Sequence, residues 1–454
     1  MYTEKQPPRA ESPSAAGTPG AASDNTQLRK VALSSLLGTV LEYYDFLLYS
    51  TMAALVFGKL FFPSSNSAAS TIAAFGTLAA GYAARPIGGV LFGHFGDRLG
   101  RKSMLIVTMV MMGGASFVIG LLPDYGSIGV LAPILLVALR LIQGIAIGGE
   151  WGGAALMVIE HADKDRRGKW AGIMQLGSPI GFLLSTVVVM VVTMLPDESL
   201  YSWGWRLPFL LSGLLVVVGL YVRLGVVESP VFREALEQAE SESEPKAATP
   251  LVQLLRNPRP LILACAAGIG PFALTALTTS HIIAYATDTG YDKSEVMRTL
   301  VAMSVVSLVC IPLFSALSDR LGRRAVTMAG AVGAVVFALP LYVMVDTGSV
   351  LLMTVGLLIA QVVQNLMYAP LAPLLAEMFG TEMRYTGVSL GYQMASLIGA
   401  GFGPLIASSF VASTGGSSLP LSAIIGVTAL VTATAIWRMA ETRGRDLTAE
   451  FVRG

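Results

Sequence analysis

Charge is scarce in this chain. Lys, Arg, Asp and Glu make up 13% of its 454 residues, whereas a soluble globular protein carries about 25%. Cysteine is almost absent. Cys265 and Cys310 both sit in apolar runs, which excludes a disulfide framework and a thiolate metal cluster and reads as buried packing. The three histidines, His94, His161 and His281, fall in separate segments, so no metal-based or nucleophilic enzyme centre is expected. A phosphate loop of the G-x-x-x-x-G-K-[ST] type is missing, because Gly96-x-x-x-Gly100 has the wrong spacing; an ATP-driven pump is thereby excluded. The net charge of +1 offers no bulk attraction for nucleic acid. No cofactor, no metal and no catalytic residue is expected.

What the chain has in abundance is apolar sequence: 54% hydrophobic residues and a mean hydropathy of +0.67. It is organised as runs long enough to cross a bilayer, about 20 residues each. Six runs, at 31–57, 69–93, 103–122, 129–159, 170–195 and 206–225, are followed by a polar stretch at 226–258 rich in Glu and Pro. Six more follow at 259–286, 296–317, 325–345, 349–376, 387–412 and 420–438. Residues 1–28 are rich in Pro, Ser, Ala and Gly and lack an apolar core behind a basic start; they read as a disordered tail, not a signal peptide. The expected organisation is therefore a tail (1–28), a six-helix half (29–225), a linker (226–258), a second six-helix half (259–438) and a second tail (439–454). The fold class is an all-α membrane protein.

Lys and Arg give the orientation. With the amino terminus inside, the inner loops and tails hold 24 of the 30 basic residues, and the outer side only Lys59, Arg206, Lys293 and Arg298. Both termini are expected in the cytoplasm and the protein in the inner (plasma) membrane. The halves also repeat. Gly96-Asp97-Arg98-Leu99-Gly100-Arg101-Lys102 matches Ser318-Asp319-Arg320-Leu321-Gly322-Arg323-Arg324 at an offset of 222. Glu160 with Arg167 matches Glu377 with Arg384 at an offset of 217. Duplicated halves imply a site between them.

The run from Gly81 through Arg85-Pro86 to Gly96-Asp97-Arg98-Leu99-Gly100-Arg101-Lys102 resembles the loop motif between helices two and three of the major facilitator superfamily. Further stretches are similar to the metabolite:proton symporter family within it: Leu41-Glu42-Tyr43-Tyr44-Asp45-Phe46, Arg140 through Gln143 to Gly148-Gly149-Glu150-Trp151-Gly152-Gly153, Trp203-Gly204-Trp205-Arg206, Glu228-Ser229-Pro230 and Arg384-Tyr385-Thr386-Gly387. The resemblance covers roughly residues 29–445, and from Asp45 to Ala155 it looks nearest to shikimate permeases. It departs at Tyr43, where relatives have Trp, and at Ala440, where they have Pro in the terminal Glu441-Thr442-Arg443-Gly444-Arg445 motif. The family takes up proline and betaine, 2-oxoglutarate, citrate, shikimate and aromatic acids. The resemblance implies twelve helices in two pseudo-symmetric halves and transport by alternating access. It also implies a cytoplasmic gate built from Arg85, Gly96, Asp97, Arg98, Gly100, Arg101, Glu150, Glu160, Arg167, Asp319, Arg320, Arg323, Glu377 and Arg384.

Ionisable residues inside a span are costly and therefore functional candidates. Glu42 and Arg140 each lie roughly 16 Å into their helices, at a rise of about 1.5 Å per residue. Glu42, Asp45 and Tyr49 are spaced i, i+3, i+7 on one face, and Arg140 is expected to pair with Asp45 or Glu42. Burial disfavours a carboxylate's charged form and a nearby guanidinium favours it, so Asp45, Glu42 and Arg140 are the candidate proton-coupling group, with Asp45 preferred as carrier. The repeat positions in the second half are Ala264, Ala267 and Leu357, which confines this charge to the first half. Candidate solute ligands are Tyr44, Tyr49, Arg140, Gln143 and Gln175 in the first half, and Gln361, Gln364, Asn365, Tyr368, Tyr392 and Gln393 in the second. His281 reads as an interface residue near the outer end of its helix. Gly148, Gly149, Gly152 and Gly153 form small-xxx-small pairs for close helix packing.

The function expected is proton-coupled uptake of a small organic acid by a protein that works as a monomer, its partners being the solute, protons and the bilayer. Symport of proline- or betaine-like osmolytes, or export of a solute, are the rivals within transport. A transporter-like nutrient sensor is the rival outside it, and tails of about 28 and 16 residues are short for an output domain.

Overall fold

The computed structural model describes residues 20–63, 67–229, 231–233 and 250–447. Among them the regular structure is helical. Twelve long helices follow one another: α1 (Thr26–Leu60), α2 (Ser67–Leu99), α3 (Arg101–Leu121), α4 (Leu131–His161), α5 (Arg167–Val192), α6 (Asp197–Leu224), α7 (Arg259–Asp288), α8 (Lys293–Leu321), α9 (Arg323–Val345), α10 (Val350–Ala376), α11 (Thr381–Val411) and α12 (Leu419–Arg438). Eleven are long and apolar enough to cross a membrane by composition. The other, α2, has 33 residues, enough for about 50 Å at 1.5 Å per residue; glycines and a central Arg85 lower its hydropathy. The helix that becomes α1 already begins at Gly20, so the expected tail of 1–28 is helical at its end, and residues 1–19 lie outside the described residues. In the linker, Pro250–Arg256 is a short helix; residues 230 and 234–249 lie outside the described residues.

The outer surface is apolar. Val217 is 64% exposed, Val336 70% and Tyr221 82%. Water would penalise such a belt; lipid tails match it, because helices satisfy their own backbone groups. Polar groups are turned inward instead, including Glu42, Asp45, Arg140, Gln143 and Gln175.

Small residues allow the helices to approach. Cβ atoms added at Gly144 and Gly148 would strike the carbonyls of Gly81 and Arg85, so α2 and α4 pack backbone to backbone. Gly89, Gly93 and Gly96 on α2 face Ser389, Thr386 and Tyr385 on α11. Gly152 and Gly153, expected only to pack, meet Ser389 and the Tyr385 ring, and so also serve the contact between halves. The repeat is visible in the backbone. Gly100 and Gly322 open α3 and α9 with φ of 98° and 99°, a region closed to most L-residues. A Cβ at either would also collide with Glu228 or Glu441.

Candidate functional site: a gate between the halves and a polar centre

At the end of the bundle that carries the two repeated loops, four carboxylates and four arginines join the halves. Asp97, closing α2, accepts from the backbone N–H of Tyr385 (3.0 Å) and of Thr386 (3.1 Å) and from the Thr386 hydroxyl (2.8 Å). It thereby caps the first turn of the helical run Arg384–Ser396 in α11, where the unpaired N–H groups and the helix dipole favour an anion. Its repeat partner Asp319 accepts from the N–H of Gly168 and Lys169, each at 2.8 Å, at the start of α5. Asp319 also pairs with Arg323 at 2.6 Å.

The glutamates close the pattern. Glu160 pairs with Arg101 of its own half (3.4 Å) and Arg384 of the other (3.1 Å). Glu377 pairs with Arg323 of its own half and Arg167 of the other, each at 3.5 Å. Ser229 donates to Glu160 and Thr442 to Glu377, the latter at 2.8 Å. Each glutamate thus ties one arginine of its own half and one of the other, and the pattern is twofold. All eight sit in the seam, Asp97 only partly buried.

Four of the expected gate residues sit elsewhere. Arg85 lies about midway along α2, its guanidinium 4.2 Å from the centre of the Tyr82 ring and 5.6 Å from that of Phe46; Leu99 at the helix end lies fourteen positions further on, about 21 Å at 1.5 Å per residue. Glu150 pairs with Arg223 at 2.7 Å and accepts from Thr108, so it joins α4 to α3 and α6 within one half. Arg98 and Arg320 point to the exposed surface. Gly96 and Gly100 contribute backbone shape and close approach.

The buried charge at mid-helix is arranged differently from the expectation. Arg140 makes no ion pair with Asp45 or Glu42 within 4 Å among the described residues. Gln143 stands between them: its Nε2 donates to Asp45 (2.6 Å) and to Ser116 Oγ (2.6 Å), and its Oε1 accepts from Arg140 Nη1 (3.2 Å). Ser212 also donates to Asp45, at 3.4 Å. The Arg140 guanidinium lies 4.2 Å from the centre of the Tyr49 ring, and Tyr49 donates to Thr77 at 2.6 Å. Asp45, Gln143, Arg140 and Tyr49 therefore form one line inside the first half. Glu42, three residues earlier, is buried with Oε2 lacking a hydrogen-bond partner.

Between the halves lies an aromatic cluster. The Tyr43 hydroxyl is 3.1 Å from that of Tyr368 and 3.5 Å from that of Tyr392. Trp151 stacks on Tyr392 with ring centres 3.5 Å apart, and Phe272 meets Tyr392 edge-on at 4.8 Å. Gln175 donates to the Ala369 carbonyl (2.9 Å) and Gln393 to that of Ile147 (3.2 Å), both across the seam. Of the expected solute ligands, Tyr368, Tyr392, Gln175 and Gln393 meet here. Gln361 and Asn365 instead bond Ser307 on α8, at 2.9 and 3.0 Å, and Gln364 accepts from Gln361. Tyr44 points the other way, donating to the Pro208 carbonyl at 2.8 Å within the first half. Tyr43, Trp151 and Phe272 were missing from the expected ligands, although Tyr43 and Trp151 lie in the two segments that carried the resemblance.

The sequence model of the Major Facilitator Superfamily matches residues 35–390 and 277–452. The chain belongs to that superfamily. Among its relatives, the shikimate transporter of Escherichia coli K12 is 40% identical over 390 residues, covering 85% of this chain and 88% of that one. The proline/betaine transporter of the same strain is 32% identical over 438 residues, covering 93% and 86%. Among solved structures, the proton:xylose symporter XylE bound to 6-bromo-6-deoxy-D-glucose superposes with a TM-score of 0.76 at 17% identity, over 94% of this chain and 98% of that one; this likeness bears on the fold. As a member of the superfamily, the protein is a multi-pass membrane transporter and not an enzyme.

Proposed function

We propose that this transporter takes up a small organic carboxylate, of which shikimate is the nearest example, together with protons by alternating access. The observation that carries the reading is the buried line Asp45–Gln143–Arg140. Two opposite charges sit on neighbouring helices of one half and communicate through an amide instead of pairing directly. A proton on Asp45 removes its demand on Gln143. Gln143 then turns its acceptor elsewhere, and Arg140 is left with donors for a carboxylate cargo, which it suits by its planar fork. Glu42, buried with an unpartnered oxygen and next in sequence to Tyr43, is the second proton carrier. The relatives named for shikimate and for proline/betaine support a cargo bearing a carboxylate.

In this reading the Lys- and Arg-rich end is cytoplasmic, as are both termini, in the inner membrane, and the protein acts as a monomer. The gate of Asp97, Glu160, Asp319 and Glu377 is then shut on the cytoplasmic side, as the outward-facing state requires. The halves at 29–225 and 259–438 are the moving bodies, joined by the 226–258 linker. The test is uptake and counterflow of labelled shikimate in proteoliposomes, with and without an imposed pH gradient. Asp45→Asn and Glu42→Gln should each lose accumulation while retaining part of the exchange activity, since exchange moves no net proton. Accumulation driven by sodium and indifferent to pH, or accumulation preserved in both variants, refutes the coupling.

A further inference from the structure

The chain does not leave the bundle when α12 ends at Arg438. It turns back beneath the gate. Glu441 accepts from the N–H of Arg323 (3.0 Å) and Arg324 (3.2 Å), capping α9, and Thr442 donates to Glu377. The first half does the same after α6: Glu228 accepts from the N–H of Arg101 and Lys102, each at 3.1 Å, and Ser229 donates to Glu160. Up to this point the two halves repeat.

Then they diverge. After Ser229 the first half places Phe232 under its own Arg101, 4.6 Å from ring centre to guanidinium, and the described residues of this segment end at Arg233. After Thr442 the second half crosses the seam. The Arg445 carbonyl accepts from Arg167 Nη1 of the opposite half at 2.7 Å. The Leu447 carbonyl accepts from the Thr381 hydroxyl (2.9 Å) and from Arg384 Nη2 (2.5 Å). The Arg445 side chain donates back to the Glu377 carbonyl at 3.3 Å, and that of Arg443 to the Arg320 carbonyl at 2.6 Å. The Leu447 side chain is 4% exposed and belongs to the same apolar cluster as Phe379, Tyr385 and Met439.

These contacts involve the two arginines that cross the seam. Arg167 and Arg384 each give one edge to a carboxylate of the opposite half. A guanidinium has five N–H donors, and buried donors without acceptors cost free energy. The segment's main-chain carbonyls supply acceptors that the carboxylates do not. Opening the seam at this end parts Arg167 from the second half. It must therefore either break the bond to Arg445 or pull the segment away from Thr381, Arg384 and the apolar seat of Leu447.

We propose that residues 443–447 are a strap that holds the gate between the halves shut, bound to the cross-seam arginines through its carbonyls. It acts on the gate equilibrium independently of which solute or ion is carried, and its test needs no solute. Ser315, fully buried against Gly172 and Gly168 in the α5–α8 seam, is the reporter. The full chain carries Ser315→Cys with Cys265→Ser and Cys310→Ser. The rate of maleimide labelling is read in membrane vesicles, and the same background with Asp97→Asn gives the rate of a loosened seam. Leu447→Asp, which places a charge in the apolar seat, should label about tenfold faster than the parent, and Leu447→Met at the parent's rate. Deleting residues 444–454 should give the same acceleration without a charge in the apolar seat, which covers poor membrane insertion of Leu447→Asp. Parent-like labelling of the deletion variant beside fast labelling of Asp97→Asn would overturn the strap.

Discussion

Asp97→Asn perturbs the seam with the least change in shape. The aspartate makes three hydrogen bonds to the first turn of the Arg384–Ser396 run, two from backbone N–H groups and one from a hydroxyl. Hydrogen bonds to a charged group contribute about 1.5–3 kcal/mol each, and an anion at a helix N-terminus about 0.3–1 kcal/mol more. Asparagine keeps one acceptor oxygen and turns an NH₂ toward a backbone N–H. It loses at least one of the three bonds and all of the charge term, about 2–4 kcal/mol in sum. At 1.4 kcal/mol per factor of ten, the closed-to-open ratio of the seam falls by about 30-fold to 1000-fold. The assay is thiol labelling of Ser389→Cys, a side chain buried between α11, Gly89 and Gly152, in a background free of Cys265 and Cys310. Labelling accelerates, while net uptake slows because the outward-facing state is depopulated, and membrane abundance stays near that of the parent. Unchanged labelling and unchanged uptake in an abundant Asp97→Asn variant would show that Asp97 merely decorates a loop.

Other expectations rest on other parts of the molecule. Arg140→Ala should weaken binding of a carboxylate solute by about 30-fold or more, since leaving a buried charged group unpaired costs about 2–5 kcal/mol; Arg140→Lys should restore little, and equal binding in a thermal-shift titration refutes the role. Gln143→Leu should uncouple Asp45 from Arg140 and shift the pH profile of uptake while leaving membrane abundance unchanged; an unaltered profile shows that the amide is a spacer only. Gly100→Ala forces a Cβ onto a φ of 98° and against Glu228. Gly129→Ala imposes a φ of 60° in open space. Both carry the strain of a positive-φ region that glycine alone adopts readily, about 1–3 kcal/mol, so only Gly100→Ala should lose further thermal stability, and equal melting temperatures would deny the collision.

How much of this was legible beforehand depends on which physical signal wrote each feature. Apolar length and the distribution of Lys and Arg are direct records of lipid, and they place twelve helices. The repeated set of charges is equally legible. Asp97 with Asp319 and Glu160 with Glu377 stand at fixed offsets, and in the folded chain each caps or pairs with the group its repeat partner's position requires. The linkage Gly100–Glu228 is harder, because nothing at position 100 announces which distant carboxylate will cap the helix that follows.

The rotational phase of each helix was the illegible quantity. In a soluble bundle the polar face marks the solvent side, and the phase follows from the hydrophobic stripe. In a bilayer both the lipid and the protein interior are apolar, so α1 has no such stripe. Successive residues on a helix differ by about 100°. Tyr43 and Tyr44 are neighbours in sequence, yet one reaches Tyr368 across the seam and the other turns to Pro208 inside its own half. The same rotation separates Glu42, whose Oε2 has no hydrogen-bond partner, from Asp45, which is enclosed by Gln143 and Ser212. It also separates Tyr368 from Asn365 on α10, so that only the tyrosine meets the other half. A polar residue in a span is thus a reliable sign that something will bond it. Which neighbour does so is decided by packing, here by glycines such as Gly144 and Gly148 that set how closely α2 and α4 approach and so which face of each remains for the seam.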